Sequence, residues 1–169
     1  MLASFSQALS KPEYIHVLIN PLPVYGLTMG IIGLILALIL RSRSAQIATL
    51  ALILLSGAIA WPVVEYGEKG YDRVLSMSDD EGQAWLKAHM DRADKLVWSL
   101  YVVAGLAALA IFAPVKWPKT ATLLAVMTLL FSFVALGMSG YIAYAGGRVR
   151  HREFRTEPAP SIPPEQDEH

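Results

Sequence analysis

Between Pro21 and Leu40 the chain runs through 20 residues with no charged side chain. At about 1.5 Å per residue, a helix of that length covers roughly 30 Å, the thickness of a bilayer's hydrocarbon core. Three further uncharged stretches follow, at 46–64, 96–113 and 120–147. Backbone buried in lipid has to satisfy its own hydrogen bonds, so each stretch is read as a helix. The alternation of a membrane β-barrel is absent. The predicted fold is all-α: a four-helix transmembrane bundle, residues 1–150, followed by a tail, residues 151–169.

Composition agrees with this reading. The chain is 54% hydrophobic and 17% charged, less charge than a soluble domain of this size carries. Its formal net charge is zero, so nothing draws it toward nucleic acid. There is no cysteine, which excludes disulfides, thiolate metal sites, iron–sulfur clusters and covalently attached c-type haem. The first 20 residues do not have the pattern of a removable signal peptide. The expected setting is a lipid bilayer.

Two short turns, Arg41–Ser44 and Pro114–Lys119, join the spans on one side. Asn20-Pro21 reads as an N-cap with proline at the first helical position. The segment from Glu65 to Lys95 reads as a long loop whose second half is helical. Ser78 and Glu81 have capping-box spacing, and Ser78, Gly82, Trp85, His89, Arg92 and Leu96 fall on one helical face. An amphipathic interfacial helix is therefore expected before the third span. From Thr156 the tail is proline-rich and acidic and reads as disordered. Gly26, Gly30, Gly33 and Ala37 form a small-residue stripe suited to close packing within the bundle or to a homodimer seam. Gly137 and Gly140 are read the same way. No span holds an ionisable residue at mid-depth, which argues against a proton or ion pathway.

Four spans put both termini and the long segment on one side. His16, His89, His151 and His169 all fall there, with Glu65, Glu68, Asp72 and Arg92, and the opposite side has neither histidine nor carboxylate. His89 shares a helical face with Trp85, and His16 precedes the first span by one turn. As neutral imidazoles the two suit bis-His ligation of a b-type haem held noncovalently between helices. Arg92 is the expected propionate partner, and Trp85 and Tyr14 are expected to pack on the macrocycle. A haem-free metal site built from His16, Glu65, Glu68 and His89 is the alternative ligand set. His151, in the basic stretch Arg148–Arg155, reads as a headgroup contact, and His169 as a tail residue without a role.

Three segments carry a family resemblance: His16-Val17-Leu18-Ile19-Asn20-Pro21-Leu22-Pro23-Val24-Tyr25-Gly26, Tyr66-Gly67-Glu68-Lys69-Gly70-Tyr71-Asp72, and Ala84 to Ala93 around His89. Over about residues 14–150 the chain resembles a group of uncharacterised bacterial four-helix membrane proteins. They are related in pattern to a domain-of-unknown-function family with an early histidine–proline motif. The resemblance implies a second histidine where this chain has Pro21 and a glutamate where it has Met90. Both departures leave His16 and His89 as the pair to consider. The layout is similar to that of small b-type cytochromes. The function expected from the sequence is electron transfer by bound haem b, with quinone or a partner redox subunit as the exchange partner. The other readings are a non-catalytic structural or assembly subunit of a larger membrane complex and a haem-free metal or small-ligand binding membrane protein. The terminal side carries ten of the fourteen Lys and Arg residues, which points to cytoplasmic termini.

Overall fold

A computed structural model describes residues 7–161, and every element assigned among them is helical. Four helices are long and apolar enough to cross a membrane: Pro12–Ile39, Arg43–Ser76, Asp80–Lys116 and Pro118–Arg150. At 28 to 37 residues and about 1.5 Å per residue, each is longer than a hydrocarbon core of roughly 30 Å. The first is interrupted near its start, and the second and third about midway. The elements are therefore α1 (Pro12–Ile19), α2 (Pro21–Ile39), α3 (Arg43–Ala58), α4 (Ala60–Ser76), α5 (Asp80–Leu96), α6 (Trp98–Lys116) and α7 (Ala121–Arg150).

The interruptions have physical causes. Asn20 is not an N-cap. Its backbone is helical, its side chain caps nothing, and its N–H donates to the His16 carbonyl. α1 therefore runs on into α2 across a break at Pro21, which has no N–H to donate. Pro62 lies just beyond the break at Ile59. The expected capping box is also displaced. Asp79 is the N-cap of α5 and accepts from the Gly82 N–H, while the Ser78 hydroxyl donates back to Val74. The first half of the expected loop is instead α4. Its solvent face carries the i,i+4 pair Glu65–Lys69, at 2.6 Å, and its buried face carries Val63 and Gly70. The expected amphipathic helix before the third span is α5, which continues into α6 with a break at Val97.

On the side of the two short turns all four helices pack together. α2 packs on α3, α3 on α6, α6 on α7, and α7 back on α2. Leu27, Leu34, Leu50, Ile53 and Val103 are fully buried at the centre, with small residues of α6 and α7. The Gly26–Gly30–Gly33 stripe abuts Ser56, Ile53 and Thr49 of α3, so it serves internal packing. Gly137 and Gly140 differ from expectation: nothing lies within 4 Å of where their side chains would begin. Hydroxyls in the spans bond back to carbonyls one turn earlier, as Thr28, Ser56, Thr128 and Ser132 do. Many large apolar side chains face outward, among them Leu36, Leu55, Phe112 and Leu130. That is the inverse of a soluble surface and matches contact with lipid.

On the terminal side the bundle divides. α1 packs on α4 and α5 packs on α7, and the two pairs make few contacts with each other. A second small core of Trp85, Leu86, Ala145 and Val149 sits between α5 and α7, joined by Ala159 from the tail. Expected to be disordered from Thr156, the tail is thus partly packed against the protein. Arg155, its side chain 6% exposed, holds both carboxylate oxygens of Asp79 at 2.9 Å. It also donates to the free carbonyls of Arg148 and Val149 at the end of α7.

Candidate functional site: a slot between two helix pairs

The gap between the α1/α4 pair and the α5/α7 pair is a cavity of about 410 Å³, within the size range of cofactor pockets. Its walls are mostly apolar and small at their centres, with Gly67 and Gly70 on one side and Ala143 and Gly146 on the other. Leu100 and Ser139 lie toward the membrane core, and Glu13 and Arg150 toward the terminal end. Two walls with little between them suit a flat ligand.

Each wall contributes one histidine. From α1, His16 Nδ1 donates to the Val63 carbonyl of α4 at 2.8 Å. From α5, His89 Nδ1 donates to the Ile142 carbonyl of α7 at 3.0 Å. A carbonyl can only accept, so Nδ1 carries the proton and Nε2 is left with its lone pair. The two rings meet across the slot with centroids 6.3 Å apart and planes at 77°.

The two half-sites are built alike. His16 lies against Gly67, four residues after Val63, and His89 lies against Gly146, four residues after Ile142. At both glycines a β-carbon would stand 3.0 Å from the imidazole, too close for the ring to stay where it is. In each half, a histidine on the first helix of a hairpin bonds a carbonyl on the second and rests on the glycine one turn further along.

The other expected site residues lie elsewhere. Arg92 does not line the slot: its guanidinium donates to the Tyr141 carbonyl at 2.9 Å and stacks 3.8 Å from the Tyr141 ring. Trp85 is 2% exposed in the second core, edge-on to Tyr144. Tyr14 is 40% exposed and lies outside the slot lining. Glu65 is engaged by Lys69, Glu68 is exposed, and neither reaches the cavity. Among the described residues no three His, Asp or Glu side chains come together as a metal site, so the haem-free ligand set is not assembled. His151 stacks on Phe154 and bonds Glu153 in the exposed tail, and His169 lies outside the described residues.

Gly67, Gly146, Val63, Ile142 and Arg150 escaped the sequence reading. Arg150 sits at the mouth of the slot, with one guanidinium nitrogen on the Met77 carbonyl. The signal that could have found the glycines is the twice-repeated pairing of a β-branched residue with a glycine four residues later, opposite a histidine.

No family model matches the chain, and no curated protein and no solved structure matches it either. The chain is thus consistent with an uncharacterised family.

Proposed function

We propose that this protein is a membrane-embedded electron carrier that binds one b-type haem in the slot, where His16 and His89 would hold its iron. One observation carries the reading: two imidazoles from opposite walls, each with its Nδ1 committed to a carbonyl, at a centroid separation of 6.3 Å. Two imidazoles bound through Nε2 to one metal ion, with bonds of about 2.0 Å, have centroids roughly 6 Å apart. The glycines under each ring and the apolar walls suit a flat macrocycle. Arg150, at the polar end of the slot, replaces Arg92 as the partner for an acidic haem side chain. The bound haem would supply one-electron chemistry. The residues hold the imidazoles in one tautomer, exclude water from the walls and offer a cation at the mouth.

In this reading the donor or acceptor is a quinone in the bilayer or a partner redox subunit, the membrane is the bacterial inner membrane, and the termini are cytoplasmic. The protein purified in mild detergent from cells with ample haem should show a Soret band, and its α and β bands should sharpen on reduction with dithionite. A colourless preparation would overturn the proposal. A second reading, a subunit of a larger membrane complex, is favoured by Gly137 and Gly140, which leave a small-residue strip of α7 open to a partner helix. Co-purification of a stoichiometric second chain in mild detergent tests it.

A further inference from the structure

Behind the α5/α7 wall lies a charge that the ligand site itself does not use. Arg148 is 8% exposed. Its guanidinium lies 3.4 Å from the Tyr144 ring and 5.2 Å from the Trp85 ring. One nitrogen donates to the Tyr144 carbonyl, and Nε has no partner. Among the described residues no carboxylate forms an ion pair with it; the five ion pairs present involve other groups. A buried cation ordinarily has a counter-ion, because desolvation is expensive. Here two aromatic rings and one carbonyl touch the guanidinium, and a carboxylate, Glu157, stands beyond them on the Tyr144 hydroxyl, which donates to it. Arg92, 5.8 Å from the Tyr144 ring and 3.8 Å from the Tyr141 ring, also stands on aromatic rings and not on a carboxylate.

This cation is close to the site. Arg148 is two residues beyond Gly146, which touches the His89 ring, and the residue between Arg148 and Arg150, Val149, lines the slot. Trp85, one turn before His89 on α5, is its other aromatic neighbour. A positive charge fixed in a low-dielectric seam acts over such distances with little screening. The opposite wall has no buried counterpart: of its cations on α4, Lys69 is exposed and paired with Glu65, and Arg73 is exposed.

We infer that Arg148 is a positioning charge that raises the reduction potential of the redox group held by His16 and His89. The inference rests on the haem reading above. A ferric bis-imidazole porphyrin carries one more positive charge than the ferrous form, so a nearby fixed cation without a direct ion-pair partner favours the reduced state. The Tyr144 and Trp85 rings, edge-on to each other, hold that cation dry and in place.

Redox titration of the purified protein, followed by the Soret and α bands, tests this. Arg148→Gln should keep its haem and titrate at a lower potential than the wild type, and Arg148→Lys should recover most of the difference. Tyr144→Glu places a carboxylate one helical turn from Arg148 with the guanidinium retained, and it too should lower the potential. An unchanged potential in haem-bearing R148Q or Y144E would overturn the inference. So would an R148K potential as low as that of R148Q. If R148Q does not hold haem, Y144E alone decides. A wild type with no Soret band would instead overturn the haem reading, and the inference with it, so the two failures are distinguishable.

Discussion

His16 and His89 face each other across the slot from separate helix pairs, with ring centroids 6.3 Å apart, and neither is held by the other. Each is fixed to its own wall by a carbonyl, Val63 for one and Ile142 for the other. Removing one ring should therefore leave the second in place. If the slot binds haem as proposed, His16→Ala and His89→Ala should each lose the low-spin bis-imidazole spectrum while the protein still folds into micelles. Added imidazole should restore much of the spectrum in each variant. Spectral titration with imidazole checks this, and a variant that keeps the wild-type spectrum would exclude its histidine as a ligand.

Gly67 and Gly146 should be intolerant of any side chain. A β-carbon at either site would stand 3.0 Å from the imidazole, so the ring must tilt or the two helices must part. Overpacking of this kind costs about 1–3 kcal/mol. Gly67→Ala and Gly146→Ala should each lower the unfolding midpoint in detergent and, on the haem reading, weaken haem retention, because the displaced ring would no longer meet the iron. Gly137→Ala, where the space is open, is the control and should leave both unchanged.

Much of the fold was legible because lipid leaves few options: an uncharged stretch of about 20 residues must be a helix that satisfies its own backbone. The histidine pair was legible because both residues lie on the terminal side at positions that face inward. The long segment after Glu65 was less so. Its charged side chains resemble a loop until Glu65 and Lys69 are recognised as an i,i+4 pair. Arg92 and Trp85 share a helical face with His89 in sequence, yet in the structure they turn toward Tyr141 and Tyr144 of α7. A helical wheel gives direction around one axis and not the identity of the neighbour.

Asp79 should make the packing of the tail insensitive to mild acid. The Arg155 guanidinium beside it, with help from the Gly82 N–H, holds its carboxyl well below the usual carboxylate range. A carboxyl whose pKa is depressed by folding adds stability above its unfolded pKa, and that contribution disappears as pH falls through the folded value. The Arg155–Asp79 clamp should therefore persist from neutral pH down through the range, about pH 4, where ordinary carboxyls protonate. It should release only in stronger acid. Asp79→Asn should weaken it at every pH. Hydrogen exchange of residues 150–160, followed against pH, reads this out. Release of the wild-type tail between pH 6 and 5, as an order-of-magnitude window around ordinary histidine titration, would show that some other group holds it.

At the opposite end of the bundle, Arg43 and Pro114 should behave as a coupled pair. Pro114 lies inside α6 and has no N–H, so the carbonyl of Ala110, one turn earlier, loses its helical donor. Arg43, in the first turn of α3, supplies the missing hydrogen bond: its guanidinium donates to the Ala110 carbonyl at 2.8 Å and to Ile111 at 3.3 Å. Arg43→Ala should destabilise the protein by about 1–3 kcal/mol, the cost of leaving a buried acceptor unsatisfied. In a Pro114→Ala background, where an N–H is restored to the helix, the same substitution should cost clearly less. A double-mutant cycle on unfolding in detergent measures the difference. Equal costs in the two backgrounds would mean that Arg43 stabilises the turn through its charge and not through the carbonyl that Pro114 frees.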